Sequence, residues 1–162
     1  MNANFDIISH RGYTDGCNKE LENNPDHLES CSEKYPWMFF EIDVWKIGNN
    51  FYLGHDEPIY KVYLDFICNK KFYLHAKNLD AFEFLYQKKN SNLFRDMFYH
   101  DRDDVTITSL GRIWCNKKIW IKNSILNQVS EETINLYDFN YIGICTDFPL
   151  KIKRYMDSEY GR

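Results

Sequence analysis

Four strand-like runs crowd into residues 94–123: FYH, VTITS, RIW and KIWIK, each separated from the next by only a few residues. On either side of this stretch the pattern differs. FDIISH (5–10) is a short strand apolar on both faces, and NNPDHLESCSEKY (23–35) is a helix with an Asn cap and Pro25 in its first turn. WMFFEIDVWKI (37–47) reads as a strand, GNN as a turn and FYLGH (51–55) as the returning strand. KFYLHAK (71–77) is a strand followed by a helix over LDAFEFLYQKK (79–89); SEETINLYDF (130–139) is a helix and YIGICTD (141–147) a closing strand. Strands alternating with helices predict an α/β fold on a parallel sheet. A helical crossover between parallel strands needs about ten to twelve residues, and the gaps in 94–123 do not supply them. Crossovers there are stripped to bare loops, or local hairpins interrupt the sheet.

The chain of 162 residues is read as a single domain spanning 1–162. Hydrophobic residues at 44% and aromatics at 17% exclude a disordered chain. A net charge of −4 without a basic stripe excludes a nucleic-acid partner, and the small cluster KIKRY (151–155) is taken as a solvated helix face. No apolar run reaches the roughly 18 residues of a transmembrane segment, and the N-terminus lacks the pattern of a secretory signal. Cys17, Cys31, Cys68, Cys115 and Cys145 form no C-x-x-C pair, which suits reduced thiols in a cytoplasmic protein. Nothing in the pattern speaks to oligomeric state.

The chemistry-bearing residues fall at strand ends. On a strand, Glu41 and Asp43 share a face while Ile42 and Val44 take the other. Two carboxylates on one face of an otherwise apolar strand call for a cation or metal opposite them, unless that face is simply wet. Hard oxygen ligands suit Mg²⁺, Ca²⁺ or Mn²⁺. His10 and His55 each end a short apolar strand and are candidates for an acid and base pair, since imidazole titrates near neutrality. His75 and Lys77 alternate onto one face, and Lys77 with Arg11 would make a cationic cradle for phosphate. His100, Asp101, Asp103 and Asp104 in FYHDRDD match no metal-ligand spacing and read as a polar strand-end loop; Trp114 and Trp120 read as core or pocket wall.

HRG (10–12), Glu22-Asn23 in LENNP, EIDV (41–44), GHDEP (54–58) and CTDFP (145–149), in this order, resemble the glycerophosphodiester phosphodiesterase family. The resemblance is dense over residues 5–77 and resurfaces near 145. It implies a (β/α)8 TIM-type barrel with its active site at the C-terminal ends of the strands, here compact and abbreviated because the chain is short. It further implies general acid/base roles for His10 and His55, phosphate contacts from Arg11 and Lys77, and metal ligation by Glu41 and Asp43, with Glu22 a ligand or close to one. The family usually carries glutamate two residues before the lysine. This chain has His75 there, a change that favours a softer metal such as Mn²⁺ or Zn²⁺.

The expected activity is metal-dependent hydrolysis of a small glycerophosphodiester-like substrate, a phosphoric diester hydrolase of lipid metabolism. Two alternatives stand beside it. One is a phospholipase D-type lyase of the sphingomyelinase D kind, in which a substrate hydroxyl replaces water as nucleophile; the other is a non-catalytic module that binds a phosphate ligand.

Overall fold

The computed structural model describes residues 5–116, 119, 121–127 and 141–160. Ten strands and four helices are found among them, all strands belonging to one sheet. In chain order they are β1 (Asp6–His10), α1 (Pro25–Lys34), β2 (Met38–Ile47), β3 (Asn50–Leu53), β4 (Tyr60–Val62), α2 (Leu64–Ile67) and β5 (Phe72–Ala76). There follow α3 (Leu79–Lys88), β6 (Asp96–Phe98), β7 (Val105–Ile107), β8 (Ile113–Cys115), β9 (Ser124–Asn127), β10 (Gly143–Thr146) and α4 (Pro149–Tyr160). The expected helix over 130–139 and Trp120 lie outside the described residues.

Seven strands pair in parallel in the order β6-β5-β2-β1-β10-β9-β8, so the first and last strands of the chain are neighbours. The far half of β2 leaves β5 and forms an antiparallel sheet with β3 and β4. This is a mixed α/β architecture, and the sheet is not closed: no ladder joins β6 to β8. The antiparallel β7–β8 hairpin occupies that gap, the local solution that the short spacings of 94–123 require. Its turn docks on Asp96, whose carboxylate accepts from Thr108 Oγ1 (2.6 Å), Ser109 Oγ (2.8 Å) and the Leu110 amide (3.1 Å). Phe98 of β6 stacks on Trp114 of β8 at 4.4 Å across the same gap.

Helices α1 and α3 form where their signals lie. The Asn24 side chain accepts from the His27 amide with Pro25 in the first turn, and Asn78 caps α3 through the Ala81 amide. Alternation along the strands divides the sheet into two faces. Phe40, Ile42 and Val44 of β2 with Phe72, Leu74 and Ala76 of β5 pack under Leu28, Ile67, Ala81 and Leu85 of the helices. The opposite parity carries Ile8, Tyr73, Phe98, Trp114, Ile125 and Cys145, a second core on the other face. Glu41, Asp43 and His75 share that parity further along their strands. The KIKRY cluster lies on α4, and all five cysteines are free. Among the described residues no helix is long and apolar enough to cross a membrane.

Candidate functional site

Parallel strands end together, and the site lies at their C-terminal ends. A cavity of about 210 Å³ is lined there by His10, Arg11, Glu41, His55, His75 and Lys77, joined by Phe98, Tyr99, His100, Asp101, Trp114 and Asn127. Six of the eight residues singled out in the sequence for chemistry thus share one wall system. Asp43 lies directly beneath it, fully buried, and Glu22 stands behind Arg11.

The chain turns sharply after β1. Arg11 takes a left-handed conformation (φ 53°) while its amide continues the ladder to the Glu41 carbonyl at 2.9 Å. A non-glycine residue in this region is held at a cost of order 1 kcal/mol. The turn brings Arg11 Nε to 3.4 Å from Asp43 Oδ2 and lets Nη1 donate to Glu22 at 3.0 Å. Asn23, also left-handed (φ 55°), fixes Asp43 from the other side: its Nδ2 donates to Asp43 Oδ2 at 2.8 Å, and its Oδ1 accepts from the Asp43 amide at 3.0 Å. The turn at His55 needs its glycine. Gly54 has φ 148°, and a Cβ there would fall 2.0 Å from the Glu57 carbonyl oxygen. Trp45 Nε1 donates to the Gly54 carbonyl at 2.6 Å, tying the His55 turn to β2 beside Glu41 and Asp43.

Both histidines are tethered by carboxylates. His10 Nδ1 meets Asp147 Oδ1 at 2.7 Å, and His55 Nδ1 meets Asp56 Oδ1 at 2.7 Å. A carboxylate only accepts, so each neutral ring carries its hydrogen on Nδ1 and its lone pair on Nε2. The first pair is mostly shielded from water, whereas Asp56 is 82% exposed. Asp147 comes from CTDFP, where its residue type was visible but its partner was not.

Glu41, Asp43 and His75 place ligand atoms within 4.8 Å of one another and could hold a metal ion. His75 Nε2 contacts the His100 carbonyl at 3.4 Å, which puts the ring hydrogen on Nε2. Nδ1 of the neutral ring then turns its lone pair toward Asp43 Oδ1 (3.0 Å) and Glu41 Oε1 (3.5 Å). A lone pair facing two carboxylates demands a cation between them, either a proton or a metal. Without a metal it is a proton: burial opposes the charged ring, but Asp43 and Glu41 outweigh it and push the His75 pKa up to about 9. Burial likewise opposes the Asp43 anion, and His75, Lys77 (3.5 Å away) and Arg11 together hold it well below the usual carboxylate range. Asp43 Oδ1 nonetheless accepts no properly directed hydrogen bond, so the donor set fits a metal. Glu22 lies outside this group. Burial would raise it, yet donors from Tyr13, Lys19 and Arg11 hold it at about 2.

The FYHDRDD loop divides. His100 stacks on His75 with ring centroids 4.5 Å apart and lines the cavity with Asp101, whereas Asp103 and Asp104 do not line it. Burial, then the charge on His75, push the His100 pKa down to about 4. Trp114 is both core and pocket wall.

Five buried side-chain atoms among the described residues lack a hydrogen-bond partner: Arg11 Nε, Asp43 Oδ1, His100 Nδ1, Trp114 Nε1 and Asn127 Oδ1. Native proteins leave few such atoms. Arg11, His100, Trp114 and Asn127 are residues that line this cavity, and Asp43 lies beneath it. Compared with family models, curated proteins and solved structures, the chain matches none.

Proposed function

We propose that the protein cleaves a phosphodiester in this cavity. The observation that carries the reading is the meeting of two carboxylate-tethered histidines with Arg11 and Lys77 around one small cavity. Arg11 and Lys77 hold the phosphoryl oxygens. One histidine takes the proton of the attacking water or of a neighbouring substrate hydroxyl as the new P–O bond forms. The other gives a proton to the alkoxide as the old P–O bond breaks. A divalent ion held by Glu41, Asp43 and His75 would supply Lewis-acid polarisation of those oxygens. The order of the parallel strands supports reading the fold as an abbreviated (β/α)8-type barrel with its site at the C-terminal face, and the motifs shared with glycerophosphodiester phosphodiesterases support the substrate class. The test is a panel of glycerophosphodiesters and lysophospholipids assayed with Mg²⁺, Ca²⁺, Mn²⁺ or Zn²⁺ and with chelator. Turnover strongest with Mn²⁺ or Zn²⁺ and abolished by chelator supports the reading; no turnover with any of them overturns it.

A second reading rests on the state of Asp43. Fully buried, it is already approached by Arg11, Lys77 and His75, a charge-balanced arrangement that needs no metal. The protein would then be a metal-free phosphate-binding module. Calorimetry separates the two. Metal binding by the wild type, shifted toward Mg²⁺ or Ca²⁺ by His75→Glu, supports the enzyme; metal binding by His75→Glu alone supports the module.

A further inference from the structure

The two histidines of the cavity are held in different ways. His10 ends β1, and its tether, Asp147, directly follows β10, the strand beside it. A bond between two strands fixes the ring relative to the sheet. His55 is tethered by Asp56, the next residue along the same turn, and that carboxylate is open to water. Such a tether sets the ring relative to its own turn and moves wherever the turn moves. The β2–β3 ladder stops short of the turn, with Val44 and Leu53 as its last pair. Beyond that pair two hydrogen bonds join the turn to β2, both at Gly54. The Gly54 amide donates to the Asp43 carbonyl at a long 3.3 Å, and the Gly54 carbonyl accepts from Trp45 Nε1 at 2.6 Å. Trp45 has the strand parity of Glu41 and Asp43, so its ring leaves β2 on the face that carries the site. It is not among the residues that line the cavity.

We propose that Trp45 is a positioning residue for His55: through the Gly54 carbonyl it does for that ring what Asp147 does for His10 directly. The carbonyl it holds belongs to the peptide bond between Gly54 and His55. A peptide unit is planar and rigid, so an oxygen fixed at one edge fixes the His55 Cα at the far corner. The indole thereby sets where the imidazole stands over the cavity, and Asp56 sets only how the ring is turned. Proton transfer needs the ring within hydrogen-bond reach of the reacting oxygen, and a displacement of about 1 Å is enough to slow it. The inference rests on the phosphodiester reading of the same cavity and adds the residue that keeps its second histidine in reach.

The test compares the intact wild type with Trp45→Phe, which keeps an aromatic ring opposite Tyr52 and removes the N–H. With a glycerophosphodiester and a divalent metal, Trp45→Phe should lower kcat about tenfold, the scale of one lost hydrogen bond, and leave KM nearly unchanged. In a His55→Ala background the same change should cost nothing further. A second readout needs no turnover: ¹³C relaxation of the histidine rings should show His55 losing order in Trp45→Phe while His10 keeps its own. Equal losses of kcat in both backgrounds overturn the inference and leave the chemistry of the cavity standing. So does a His55 ring that is as ordered in folded Trp45→Phe as in the wild type. Should Trp45→Phe fail to fold, hydrogen exchange on the wild type decides. A protected Trp45 indole hydrogen is expected, and one that exchanges as fast as an exposed indole overturns the inference. A wild type that cleaves no diester with any metal removes the phosphodiester reading, and ring relaxation then decides alone whether Trp45 holds His55.

Discussion

The Asp147 carboxylate takes the Nδ1 hydrogen of His10 at 2.7 Å and so keeps the Nε2 lone pair available to a proton. An asparagine there can donate to Nδ1 instead and reverse the tautomer. Asp147→Asn should therefore lower kcat about 10²–10³-fold, the scale of general acid/base catalysis, with KM little changed and the pH–rate profile altered. Asp56→Asn should cost less than about tenfold, because its exposed carboxylate orients His55 in competition with water. Equal effects in steady-state kinetics would contradict the asymmetry. Glu22 acts on stability. Its folded pKa of about 2 lies below the ordinary 4.5, so the stability it adds is present above pH 4.5 and lost as pH falls through 2. Urea titrations should show wild type and Glu22→Gln converging as the pH drops across that window; a constant difference would contradict this. At this scale the sequence was informative where alternation along one strand sufficed, as for Glu41 with Asp43 and His75 with Lys77. The Asp147 partnership spans 137 positions and exists only because β10 lies beside β1. Asn23 lies in LENNP, but its two hydrogen bonds with Asp43 need a left-handed backbone that no spacing displays.

Between β6 and β8 the sheet is held by side chains in place of a ladder. Asp96 is buried and receives the hairpin turn through Thr108, Ser109 and Leu110, and the Ser109 amide donates to the Met97 carbonyl at 2.7 Å. Asp96→Ala leaves those donors unpaired and should cost about 3 kcal/mol in urea unfolding, and Thr108→Val about 1 kcal/mol. A loss below about 1 kcal/mol for Asp96→Ala would mean that the Phe98–Trp114 stack carries the seam. The long strands and the capped helices were readable because β1, β2, β5, α1 and α3 each show an unbroken period or a cap. β4 and α2, with three and four residues, are too short to show either. β6 begins at Asp96, ahead of the apolar run FYH; the charged residue that opens it is satisfied by the Met97 amide and by a turn more than ten residues away.

Across the whole molecule the two ends of the parallel strands are treated differently. At the N-terminal end Arg95 Nη2 donates to Asp6 at 2.7 Å and Arg112 Nη1 to Tyr73 Oη at 3.1 Å, and the orphaned atoms found among the described residues lie elsewhere. At the C-terminal end the residues that carry them line or underlie one cavity with both tethered histidines. The cavity lies at the end at which parallel α/β sheets place their sites, and the proposed function puts a ligand there. The central claim is that this ligand is a phosphodiester and that it is cleaved there. ³¹P NMR tests it most directly, on a glycerophosphodiester incubated with the protein and a divalent metal and then treated with chelator. The account predicts that the diester resonance gives way to a phosphomonoester or cyclic phosphate with the wild type and persists with His10→Asn. A diester untouched by the wild type under every metal, or cleaved equally by His10→Asn, would contradict it.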